Sequence, residues 1–90
     1  MTARRFVISG RVQGVGFRYF VMMLARERGL AGWTRNLPDG RVEVLAQGEA
    51  ADLDGLRAEL AEGPRHAQVE DVESGETEAD PALSGFSVRH

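Results

Sequence analysis

The chain has 90 residues, 42% of them hydrophobic and 28% charged, which suffices for one compact domain over residues 1–90 burying ~60% or more of its unfolded surface and leaves no room for a second. It contains no cysteine, which excludes disulfide frameworks, thiolate zinc sites, iron–sulfur clusters and cysteine nucleophiles, and His66 and His90 are its only imidazoles. The net charge of -3 hides a split: residues 1–45 set eight arginines against Glu27, Asp39 and Glu43, whereas residues 46–90 set three arginines against eleven acids, and the absence of lysine excludes Schiff-base chemistry and a phosphate-loop lysine.

From Arg5 to Val12, the residues Phe6, Ile8, Gly10 and Val12 alternate with Arg5, Val7, Ser9 and Arg11, a period of two that predicts a strand with one face on a core. After Gln13-Gly14-Val15-Gly16 the period changes. Phe17, Phe20, Val21, Leu24 and Ala25 fall on one stripe of an amphipathic helix that ends at Gly29. A second strand runs from Leu30 to Asn36, and Leu37-Pro38-Asp39-Gly40 turns the chain into a third strand at Arg41 to Gln47, where Val42, Val44 and Ala46 share a face. Leu53, Leu56 and Leu60 mark a second helix from about Ala50 to Glu62, closed by Gly63-Pro64. Gln68 to Glu73 forms a strand of imperfect alternation, Gly75 to Pro81 an acidic loop, and Phe86 and Val88 a short terminal strand.

No apolar run approaches the ~18 residues of a membrane span, and the first residues lack the apolar stretch of a secretory signal, so a soluble, cytoplasmic protein is expected. The order strand, helix, strand, strand, helix, strand is that of an α+β ferredoxin-like split β-α-β sandwich: an antiparallel sheet, both helices on one face, and a short extra C-terminal strand. Fold alone does not decide function.

The residue types at two turns carry more chemistry. Gly10-Arg11-Val12-Gln13-Gly14-Val15-Gly16-Phe17-Arg18 places a glycine-rich turn before a helix start, where several backbone N–H groups and the positive end of the helix dipole can meet an anion. Arg18 in the first helical turn opposes that dipole unless an anion is shared between them. The segment lacks the Gly-Lys-Ser/Thr ending of a Walker motif and the third glycine of a dinucleotide fingerprint. An oxyanion site and a merely tight turn both fit it. The second segment, Gly32-Trp33-Thr34-Arg35-Asn36-Leu37-Pro38-Asp39-Gly40, ends a strand on Asn36, which caps the turn or faces an anion held at Gly14 to Arg18, since the two segments emerge on the same side of the sheet.

Both segments resemble the signature motifs of the acylphosphatase family. The first matches throughout. The second, extended through Arg41-Val42-Glu43, departs only at Thr34, where an aliphatic residue is commoner. The resemblance covers nearly the whole chain and implies hydrolysis of acyl phosphates such as acetyl phosphate, with Arg18 binding phosphate, Asn36 positioning the attacking water, and Gln13, Gly14, Val15, Gly16, Phe17 and Arg18 forming the phosphate cradle. It implies a small-molecule acyl phosphate as partner, no metal or other cofactor, no nucleic acid or membrane, and a monomer.

Residue chemistry agrees with that reading. A guanidinium stays protonated and an amide neither gives nor takes a proton near neutral pH, so the substrate must need no general acid or base. An acyl phosphate departs as a carboxylate, and its own phosphate oxygen can accept the water's proton. His66 is expected at the surface and His90 at a mobile terminus, Asp39 in the turn and Glu43 facing solvent. Trp33, Phe17, Phe20, Phe6 and Phe86 are expected in the core; Tyr19, Met22 and Met23 receive no role beyond partial burial. Two rival functions remain: a non-catalytic anion-binding module of the same fold, like the acylphosphatase-like domain of larger hydrogenase-maturation proteins, and an RNA-binding domain, which would want exposed aromatics on the central strands.

Overall fold

The alternation around Phe6 folds into β1 (Thr2–Arg11) of the computed structural model, which describes all 90 residues; the strand begins three residues earlier than its pattern. It is followed by α1 (Phe17–Glu27), β2 (Ala31–Asn36), β3 (Val42–Gly48), α2 (Ala50–Glu62), β4 (Gln68–Thr77) and β5 (Phe86–Arg89). The five strands lie in the order β4-β1-β3-β2-β5. The helices pack on one face. Phe17, Val21 and Ala25 of α1 and Leu53, Leu56 and Leu60 of α2 join Phe6, Ile8, Val42, Val44 and Ala46 in a single buried cluster. Full burial of each leucine stabilises the fold by ~1.5–3 kcal/mol. At the other end of the layer, Arg28 Nη2 donates to Glu59 Oε1 at 2.8 Å and pins the end of α1 to α2.

The sheet is mixed, not wholly antiparallel: β5 runs parallel to β2, with Gly32 opposite Phe86 and Arg35 opposite Arg89. The reason is where β4 leaves the chain. That strand ends beside Ala3, at the end of the sheet where β2 begins, so a short connection to the far edge can only continue in the direction of β2. The connection crosses the face that the helices leave open. Buried Gln47 holds it there, its Nε2 donating to the Asp80 carbonyl at 2.9 Å and its Oε1 accepting from the Asp80 N–H at 2.7 Å.

Four more expectations are corrected. Strand β4 continues through Thr77, so Gly75 to Thr77 belongs to the ladder with β1 and not to an acidic loop; as an edge strand with only Val72 buried, it carries no apolar alternation to betray its length. Trp33 is not core. It alternates with Thr34, whose buried hydroxyl donates to the Glu43 carbonyl at 3.0 Å on the helix side, so the indole stands on the open face between the guanidiniums of Arg35 (5.1 Å) and Arg89 (4.6 Å). Glu43 does not face solvent: it is 4% exposed on that same face, covered by Arg5 and Arg35. Phe20 is half-buried, its ring 5.9 Å from that of Phe17.

One irregularity lies next to the site. Opposite β4 the register of β1 shifts between Ser9 and Gly10, leaving Glu70 without a partner. A Cβ on Gly10 would stand 2.1 Å from the Gln68 carbonyl oxygen, so only glycine allows this close approach of the two backbones.

Candidate active site

Residues 12–16 leave β1 and enter α1 at the end of the sheet where β2 also finishes. Gly14 and Gly16 have φ of 74° and 77°, while no non-glycine residue has a positive φ, so the sign of φ alternates along the loop. Alternation of this kind turns successive backbone N–H groups toward one concavity. Gly16 caps α1 in the left-handed conformation without any side-chain bond, and the helix has no acidic residue in its first turn. Its first backbone bond runs from Phe20 N–H to the Gly16 carbonyl; the N–H groups of residues 13–16 find no backbone carbonyl. The positive end of the helix dipole is therefore left uncompensated from within the chain. Nothing lies within 4 Å of where a Cβ would project from Gly14 or Gly16, so their positive φ and not crowding is what favours glycine there.

Asn36 ends β2, paired with Val42, and shares the helix-side phase of Thr34. Its Oδ1 is buried and has no hydrogen-bond partner. A buried acceptor left without a donor costs ~1–3 kcal/mol, which a bound water or ligand can recover. The loop, Arg18 and Asn36 border one cavity of about 390 Å³. Gly14, Gly16, Phe17, Arg18 and Asn36 line it, whereas Gln13 and Val15 do not. Arg18 Nη1 reaches across to the carbonyl oxygen of Arg89 at 3.0 Å and lies 3.4 Å from His90 Nδ1.

Arg18 is the only cation in the lining, and no carboxylate is present to neutralise it. Arg35 contributes no charge there. Its partner is Glu43, on the opposite face of the sheet. Arg41 is likewise engaged, its Nε 2.7 Å from Asp39 Oδ2, and the Arg41 N–H donates to Asp39 Oδ1 at 3.1 Å. The backbone bond from Arg41 is the leading cause that holds the Asp39 carboxyl below its ordinary range, so Asp39 serves the turn, as its sequence position implies. His66 is exposed between α2 and β4 and does not line the cavity.

The remaining wall is apolar: Val12, Tyr19, Met22 and Val88. Sequence reasoning gave Tyr19 and Met22 no role, although their spacing of three residues, off the buried stripe of α1, was a readable sign of a second face. Val88 had no such sign, because the parallel pairing of β5 with β2 is what brings it to the cavity.

Known proteins resemble the chain over nearly its whole length. The family model described as "Acylphosphatase" matches residues 4–88. The chain is 51% identical over 89 residues to an acylphosphatase of Nitrosococcus oceani, covering 99% of each chain, and 46% identical over 90 residues to one of Chlorobaculum tepidum, covering 98% of each. Among solved structures it superimposes on the crystal structure of acylphosphatase from Bacillus subtilis with a TM-score of 0.95, 41% identity and full coverage of both chains.

Proposed function

The chain belongs to the acylphosphatase family, enzymes that hydrolyse acyl phosphates, and on that premise we propose that Arg18 binds the phosphoryl group of the substrate while Asn36 orients the attacking water, without a metal ion. The observation that carries this reading is that Asn36, whose buried Oδ1 has no partner, lines the same cavity as Arg18 and the glycines of the N–H loop. The phosphoryl oxygens lie against the backbone N–H groups between Gln13 and Arg18 and against the guanidinium, whose fork suits an oxyanion. A water donates one hydrogen to Asn36 Oδ1, which leaves its lone pair aimed at phosphorus.

As the new P–O bond forms, the bond between phosphorus and the acyl oxygen breaks, and that oxygen departs as a carboxylate with the electron pair. The proton of the water passes to a phosphoryl oxygen. No group of the protein changes protonation, which fits a site built of an amide, a guanidinium and backbone N–H groups. The leaving group of a phosphate monoester departs as an alkoxide or phenolate and needs help from an acid or a nucleophile, which neither the Arg18 guanidinium nor the Asn36 amide can give. The apolar wall of Tyr19, Met22 and Val88 faces the acyl group.

An assay in EDTA tests the reading. Benzoyl or acetyl phosphate is expected to be hydrolysed and p-nitrophenyl phosphate not. Equal turnover of both classes, or loss of activity on chelation, contradicts it; phosphate binding without any turnover marks a non-catalytic module.

A further inference from the structure

The cradle and the water-orienting amide come from different parts of the sheet, and no backbone hydrogen bond joins them. The ladder between β1 and β3 ends at Ile8 opposite Val42, so beyond Ile8 the chain runs into the glycine-rich loop without pairing to the β2–β3 hairpin. One side chain bridges the gap. Gln13 does not line the cavity; its Nε2 donates to the Leu37 carbonyl at 2.8 Å and to the Arg41 carbonyl at 2.9 Å. Those two carbonyls form the neck of the hairpin, where the Leu37 N–H also donates to the Arg41 carbonyl at 2.8 Å. Leu37 directly follows Asn36. Both hydrogens of one amide are thus spent on fixing the neck of the hairpin to the residue that opens the cradle.

Building on the roles proposed above for Arg18 and Asn36, we infer that Gln13 is a positioning residue: it sets the distance between phosphate held by Gly14 to Arg18 and the Asn36 amide. Phosphate binding itself needs only the contiguous loop and helix start, which Gln13 leaves intact when its side chain is removed. The alignment of the water depends on the relation between loop and hairpin, and displacements of about 1 Å in such alignments lower rates by up to ~100-fold.

The test uses Gln13→Met, which keeps the length of the side chain and removes both donors, with Gln13→Glu as a second variant of similar size. With benzoyl phosphate, kcat is expected to fall about 10- to 100-fold while the inhibition constant of inorganic phosphate stays within about twofold. In an Asn36→Ala background the same substitution is expected to change kcat less than about twofold, because the group it positions is gone. An undiminished kcat, a parallel loss of phosphate binding, or an additive loss on Asn36→Ala overturns the inference. The underlying catalytic reading fails separately, if Arg18→Ala or Asn36→Ala alone keeps the wild-type rate.

Discussion

Arg35 and Glu43 are direct partners across the β2–β3 ladder, and Arg35 Nε donates to Glu43 Oε1 at 2.6 Å while Arg5, from β1, bonds Oε2. The carboxylate is buried on the open face of the sheet, where the indole of Trp33 also lies under Arg35. Three adjacent strands are therefore joined by one carboxylate. Burial works to push the Glu43 carboxyl up, but the bonds from Arg5 and then Arg35 outweigh it and hold the group below its ordinary value of 4.5.

A folded-state value below the unfolded one means that Glu43 stabilises the fold above pH 4.5, and that this contribution is lost as pH falls through the lower folded value. Replacing Glu43 by glutamine is expected to cost ~1–3 kcal/mol at pH 7, less than the figure for a fully buried pair because both arginines are about half exposed. Thermal unfolding from pH 7 to pH 2.5 checks this. The difference between wild type and Glu43→Gln should shrink below pH 4.5; a constant difference contradicts it.

The roles proposed for Arg18 and Asn36 separate kinetically. Arg18→Ala is expected to lower kcat/KM by ~100- to 1,000-fold and to weaken inhibition by inorganic phosphate at least ~10-fold, because it removes the only cation of the cavity. Asn36→Ala is expected to lower kcat by a similar factor and leave phosphate inhibition within about twofold. Steady-state rates with phosphate as inhibitor distinguish the two patterns.

Tyr19 is 62% exposed on α1, yet it and Met22 border the cavity next to Arg18. An acyl group bound against this wall gains apolar contact in proportion to its size. Benzoyl phosphate should therefore exceed acetyl phosphate in kcat/KM, and Tyr19→Ser should reduce that ratio by ~3- to 10-fold without altering phosphate inhibition. An unchanged ratio removes Tyr19 from the acyl site.

Trp33 is the chain's single tryptophan and stands outside the core. Trp33→Leu is expected to cost ~1–2 kcal/mol, the worth of two stacked guanidiniums and partial burial, instead of the ~3–5 kcal/mol typical of truncating a core aromatic. Urea denaturation followed by circular dichroism measures it.

Local pattern was sufficient for much of this protein. Periods of two and 3.6, the Asp39-Gly40 turn and the Gly63-Pro64 stop placed six of the seven elements within a few residues. That the glycine loop, Arg18 and Asn36 meet was legible as well, since alternating strand direction sends both segments to one end of the sheet; residue chemistry alone left a tight turn and an anion site both open, and only the family resemblance assigned the roles. Tertiary structure decided what depends on the partner and not on the segment. Edge pairing with β1 set the length of β4; the exit of β4 forced β5 parallel to β2 and so carried Val88 to the cavity and Arg89 to Arg18. Coverage of the open face by arginine stems buried Glu43, and absence of a helix there left Trp33 outside the core. The bonds of Gln13 to the hairpin neck, 24 and 28 residues away, belong to the same class, because no periodicity records which carbonyls a long side chain will meet.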